Sequence, residues 1–243
     1  MQLIDYIDRL YIINLPERID RYEALKRELL TLGIDIAGER VRIPQAPRPQ
    51  DKNDFFSRGV YGNFLSHLGI LEEALQDNLE TVWVLEDDAI FSHRLRKKFF
   101  QDEISKQLAT TNWDLCYIGH SLKKQELAAY PKGLVESSLS FIWAHCYIVN
   151  RSVLEKLVKY LQITLENPVG DPYGGKMYID GAFTLFRQLH PEVITLISNP
   201  CLSIQKGSPS NLAVGRNWYD HLELTKYPVA LARSIRDELW RWQ

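Results

Sequence analysis

Three consecutive carboxylates, Glu86, Asp87 and Asp88, end an apolar run that begins at Thr81, and a second apolar stretch, Ala89 to Phe91, follows them. The pattern reads as a buried strand with charge at its tip. Adjacent acids repel one another and are costly to bury without a counter-charge, so a cation is their natural partner. In an extended backbone Glu86 and Asp88 share one side and Asp87 takes the other, which lets an E-x-D pair offer oxygens to one hard divalent ion. Magnesium or manganese suits these ligands better than zinc, because no cysteine or second histidine lies close by. The alternative is a solvated strand-to-loop turn, or a cap on a helix starting near Ser92. The context favours a ligand site, since open α/β folds bind at the carboxyl ends of their strands.

Arg18 and Arg21 have the second pattern with chemical potential. They fall in the first turn of a helix just after the apolar strand Leu10–Asn14, where guanidinium groups could reach a phosphate. A solvated helical face is the other reading. Ser66 and His67 lie on the first turns of a helix whose apolar face is Leu65, Leu68, Leu71 and Leu75, with Asn63 as its expected cap. A lone helical histidine is usually structural, and periodicity alone does not make His67 functional.

The elements that must position these groups alternate strand and helix. After Pro16 the apolar residues Ile19, Tyr22, Leu25, Leu29 and Leu32 repeat at helical spacing up to Gly33, and Ile34 to Ile43 is expected as a second strand. A Pro-rich loop, Pro44 to Pro49, follows. Leu95, Phe99, Ile104 and Leu108 mark another helix, Trp113 to Gly119 another buried strand, and Ser121 to Gly133 a charged surface loop. Beyond the apolar segment Phe141 to Val149, Ser152-Val-Leu-Glu155 reads as a capping box opening a helix. The breaker-rich stretch from Glu166 to Lys176 must be a loop, placed to close over a substrate. Val193 to Ile197 is a further strand, and Pro200 to Gln205 a short extended piece with a Lys-Gly-Ser-Pro-Ser loop behind it. Val229 to Trp242 has helical spacing and either packs on its own domain or contacts a membrane surface or partner. The order implies an α/β fold in one domain.

Composition narrows the function classes. The 243 residues are 45% hydrophobic, enough for a full core, and the net charge of -2 gives no argument for a nucleic-acid partner. Cys116, Cys146 and Cys201 have no metal-like spacing and read as core thiols in a reducing compartment. No signal pattern or bilayer-length apolar run appears, which leads us to expect a cytoplasmic protein, with a peripheral role at the inner membrane face open.

Four separated motifs together resemble glycosyltransferase family 25, which contains bacterial lipooligosaccharide galactosyltransferases and collagen galactosyltransferase domains. They are Tyr11-Ile-Ile-Asn-Leu-Pro-Glu-Arg-Ile-Asp-Arg21, Gly62-Asn-Phe-Leu-Ser-His67, Val84-Leu-Glu-Asp-Asp-Ala89, and Tyr178-Ile-Asp-Gly181 with Pro200-Cys-Leu-Ser-Ile-Gln205. The resemblance implies a GT-A type fold, a Rossmann-like mixed sheet flanked by helices. It also implies inverting, metal-dependent transfer of a hexose, commonly galactose from UDP-galactose, to a glycan, glycolipid or protein acceptor. Glu86 and Asp88 then hold Mn2+ or Mg2+. Asn14, Arg18, Arg21, Ser66, His67, Asp87 and Gln205 lie along the donor, and His67 becomes a functional candidate. Asp180, between the Gly-rich loop and a helix, is the candidate base for the acceptor hydroxyl, with a helix N-cap as its alternative. On this reading residues 1–120 bind the nucleotide and 121–243 face the acceptor. One departure is Val60, Tyr61 and Asn63, where the family carries an acidic and a small residue. A non-catalytic member of the same fold is the competing reading.

Overall fold

The structure, a computed structural model, describes residues 2–206 and 233–242. In chain order it contains α1 (Leu3–Tyr6), β1 (Arg9–Ile13), α2 (Ile19–Thr31), β2 (Val41–Arg42), α3 (Arg58–Gln76), β3 (Thr81–Glu86), β4 (Ala89–Phe91) and α4 (Lys98–Thr110). There follow β5 (Leu115–Tyr117), α5 (Lys124–Leu127), β6 (Gly133–Glu136), β7 (Cys146–Asn150), α6 (Arg151–Glu166), α7 (Ile179–Leu189), β8 (Thr195–Asn199) and β9 (Ser203–Gln205). A last helix, α8, spans 233–241.

Seven strands form one mixed sheet in the order β2-β1-β3-β7-β5-β8-β6, and β4 and β9 make a small antiparallel ribbon. β1 runs parallel to both β2 and β3, whereas β7 is antiparallel to β3 and β5. Both faces of the central strands are covered, which is why their sequences are continuously apolar. Tyr11, Val82, Val84 and Tyr147 pack against α3, α6 and α7. Leu10, Ile12, Trp83, Leu85 and Ile148 point the other way, toward α1, α2 and α4. Alternation along each strand thus sorts one apolar run into two cores.

Several local expectations change. Ile34 and Ile36 are buried outside any strand, and of the stretch from Ile34 to Ile43 only Val41–Arg42 pairs with β1. Ser57, not Asn63, caps α3, accepting from Val60 N, so the helix starts a turn and a half earlier and Asn63 is freed for other contacts. Asn150 caps α6 by accepting from Ser152 N, while the Ser152 hydroxyl bonds Asp114 at 2.5 Å in place of a capping box. α4 begins at Lys98 rather than near Ser92, and Phe99 faces solvent. The loop after α6 lies back on that helix: Asn167 Nδ2 donates to Gly174 O at 2.9 Å. A Cβ at Gly175 would lie 1.8 Å from Pro168 O, so this close return requires glycine. The Ser-rich loop after Lys206 and residues 229–232 of the expected C-terminal helix lie outside the described residues.

Among the described residues, no helix is long and apolar enough to cross a membrane. α8 docks on its own chain. Arg241 pairs with Glu28 of α2 and donates to Phe91 O at 3.1 Å, and Arg241 O accepts from His93 N at 3.0 Å.

Candidate active site

The site forms where β1 and β3 end side by side. Ile13 is in register with Glu86, and the chain then turns through Asp87 and Asp88 into β4. That turn ends the strand alternation, so the acids do not divide as an extended strand would divide them. Asp87 and Asp88 share one cation, Arg21 of α2, at 2.7 Å from Asp87 Oδ1 and 3.4 Å from Asp88 Oδ2. Asn14, one residue beyond β1, donates to Asp87 Oδ2 at 2.8 Å, and Asp87 N donates to Ile13 O. The counter-charge that the acids require is therefore supplied in part from within the chain.

Glu86 turns to the other side, toward α3. Asn63 Nδ2 donates to its Oε1 at 2.9 Å, and His67 Nε2 lies 3.2 Å from the same oxygen. The i, i+4 spacing of Asn63 and His67 puts both on the helix face that meets the strand end. Gln205, delivered by β9, donates to Oε2 at 3.2 Å. The other ring nitrogen of His67 is 2.8 Å from the Tyr147 hydroxyl on β7. Burial works against ionising Glu86, but the His67 and Asn63 hydrogen bonds outweigh it and hold the carboxyl down at about 2. Asp88 goes the opposite way, pushed up to about 7 by burial and by the charge of Glu86, with Arg21 only partly compensating.

These partners test the metal assignment. Both oxygens of Glu86 have protein donors. Asp88 Oδ1 is buried and has no hydrogen-bond partner among the described residues. Asp88 fits a cation, whereas Glu86 would have to release Asn63, His67 or Gln205 to join it. Among the described residues, no cluster of three histidine, cysteine or acidic side chains is arranged to hold a metal.

A cleft of about 390 Å³ opens onto the acids and gathers Arg18, Arg21, Ser66, Glu86, Asp87, Asp88 and Gln205. Arg18 is turned to Asp20, making two 2.9 Å hydrogen bonds to it. Ser66 bonds back to Gly62 O within its helix. Arg48, Arg58, Asn63 and Lys206 also line the cleft, and none was singled out as a site residue from the sequence. Asn63 had a signal, its spacing to His67. The three cations sit in polar stretches without periodicity.

Asp180 lies outside that lining, in the first turn of α7, with Tyr178 at the N-cap position. Its Oδ1 accepts from Gly181 N at 3.0 Å. Burial, and then the charge of Glu86, raises its pKa. α7 packs beside α3 there, with the Phe183 ring 6.5 Å from that of His67.

Comparison with known proteins bears on the family and the fold. Procollagen galactosyltransferase 2 of Mus musculus is 28% identical over 206 residues, covering 76% of this chain and 31% of that protein. Procollagen galactosyltransferase 1-B of Xenopus laevis is 27% identical over 76% of this chain and 32% of its own length. A Bos taurus relative named "Probable inactive glycosyltransferase 25 family member 3" is 26% identical over 62% of this chain and 28% of its own. The chain thus spans about a third of the length of these relatives. A solved glycosyltransferase involved in glycosylation of the major capsid of PBCV-1 shares the fold, with a TM-score of 0.50 at 11% identity, covering 95% of this chain and 99% of that one. The mixed sheet flanked by helices is of the GT-A type. The model of Glycosyltransferase family 25 (LPS biosynthesis protein) matches residues 7–170, and the chain belongs to that family.

Proposed function

We propose that the protein transfers a hexose, galactose from UDP-galactose, with inversion to a hydroxyl of a glycan, glycolipid or protein acceptor. The observation that carries this reading is the cleft in which Asp87 and Asp88 meet Arg18, Arg21, Arg58 and Lys206. Its mixed charge suits a diphosphate, which needs cations around its oxygens. Family membership and the galactosyltransferase relatives support the same reading. In this proposal residues 1–120 supply most of the donor site and residues 121–243 most of the acceptor side. The cytoplasm, at the inner membrane face, is the compartment we propose.

Asn14 and Arg21 hold the acidic turn in shape, and His67, Asn63 and Gln205 fix Glu86 as an anion. Arg58 and Lys206 face the negative charge that grows on the leaving diphosphate as the bond from C1 to the phosphate oxygen breaks. Asp180 takes the proton of the acceptor hydroxyl as its oxygen attacks C1 from the opposite side. Burial raises the pKa of Asp180, which makes its carboxylate a stronger base than an exposed one. A divalent ion, Mn2+ or Mg2+, when held by Asp88, would neutralise part of the diphosphate charge.

The test is turnover of UDP-galactose, with other sugar nucleotides as controls, by the protein and by Asp180→Asn. The variant should bind UDP normally and lose transfer by roughly 10²-fold or more. Near-normal transfer by the variant removes Asp180 from the role. Failure of the unaltered protein to bind any sugar nucleotide, with or without a divalent ion, overturns the proposal.

A further inference from the structure

A second cavity of about 220 Å³ adjoins the cleft, with Ile13, Ala46, Pro47 and Ser66 in the walls of both. It lies between the end of β1, the Pro44–Pro47 loop and one face of α3. Ser66, Gly69, Ile70 and Glu73 recur at helical spacing along that face, and Ser66 and Glu73 are about 10 Å apart along the axis. A nucleoside has about that length.

Gly69 and Glu73 set the character of this wall. Gly69 stands in the middle of α3, where glycine costs about 1 kcal/mol relative to alanine. A Cβ there would meet nothing within 4 Å, so no neighbouring atom requires the glycine. The missing side chain leaves room in the cavity. Glu73 is half-buried; its Oε1 accepts from the Tyr11 hydroxyl at 3.0 Å. No described residue donates to its Oε2. Tyr11 is fully buried, and burial together with the Glu73 charge keeps its phenol protonated as the donor. A largely apolar slot, with Gln45 and Ser66 as its other polar walls, therefore has at one end a carboxylate oxygen open to accept a hydrogen bond.

We propose that this slot takes the base of the donor nucleotide, with Glu73 Oε2 accepting N3–H of uracil and Gly69 leaving space for the ring. The inference rests on reading the adjoining cleft as a sugar-nucleotide site. Ile13, Ile70 and the prolines offer flat apolar surfaces to the faces of the ring. Cytosine and adenine present a lone pair at the corresponding ring nitrogen, which a carboxylate repels, so Glu73 selects uracil over both, and guanine, which does carry a ring N–H, is disfavoured by the size of its two fused rings.

The test is calorimetric titration of the protein, Glu73→Gln and Gly69→Leu with UDP, CDP, GDP and N3-methyl-UDP. Wild type should favour UDP over the other three by about tenfold or more. Glu73→Gln retains an oxygen for the Tyr11 proton and should bring UDP and CDP within about twofold of each other. Gly69→Leu should melt no lower than wild type and lose UDP affinity by about tenfold or more. If wild type binds UDP but both variants keep its affinity and its preference, the inference is overturned while the transferase reading stands. CDP or GDP binding to wild type as tightly as UDP also overturns it. Absence of any nucleotide binding by wild type defeats the transferase reading itself and this inference with it.

Discussion

Glu86 Oε1 lies 3.2 Å from His67 Nε2, and His67, with none of its surface exposed, is anchored from behind by Tyr147. The contact joins the tip of β3 to the middle of α3 across the sheet face. His67→Ala should leave a cavity and weaken the hold on Glu86, lowering stability by about 2–4 kcal/mol. Denaturant unfolding measures this, and a loss below about 0.5 kcal/mol would show that the contact contributes little.

Arg21 is the counter-charge of Asp87 and Asp88. Removing it should destabilise the turn by about 1–3 kcal/mol and leave two carboxylates competing for any cation present. Melting of Arg21→Ala should therefore respond more strongly to Mn2+ than wild type does, relative to a chelator control. No response in either protein removes these acids as a cation site.

His145 makes a pH-dependent contribution to stability. Burial holds its pKa down at about 4, against about 6.5 for an exposed imidazole. The folded state favours the neutral ring, so this contribution is complete above about pH 6.5 and is lost as pH falls through about 4. The full effect is on the order of 3 kcal/mol. Asp88, pushed up to about 7, works in the opposite direction over the same window, because the folded state binds its proton more readily than the unfolded chain. The informative measurement is the difference in stability between wild type and His145→Gln at pH 7 and pH 5. That difference should shrink on acidification, and a constant difference would contradict the assignment.

The three thiols should be inert in the native protein. Cys116 and Cys146 are fully buried, with Cys146 raised to about 12, and Cys201 is raised to about 11, in each case chiefly by burial. A disulfide-exchange reagent at pH 8 should label none of them within minutes and all three after unfolding, with Cys201 first under partial denaturation. Rapid labelling of the native protein would mean that this core opens readily.

The sequence was informative wherever one side-chain period dominates a segment. The apolar runs of β1 and β3 and the helical spacing of α2 and α6 reflect burial on two faces or on one, which composition records locally. The acidic triplet was legible as the centre of the candidate site for the same reason, because three charges at the end of a buried strand demand partners. Which partners they find was decided only in three dimensions. The chain turns after Glu86, so Arg21 reaches Asp87 and Asp88 while Asn63, His67 and Gln205 close on Glu86 from α3 and β9. Gln205 lies 119 residues from Glu86, and no local pattern encodes a contact that distant. No periodicity or motif in the sequence marks Gly69 or Glu73. Packing of α3 over β1, which pairs Tyr11 with Glu73 and leaves the space at Gly69 open, makes them one wall of a cavity, because cavities are shaped by what neighbouring elements leave unfilled.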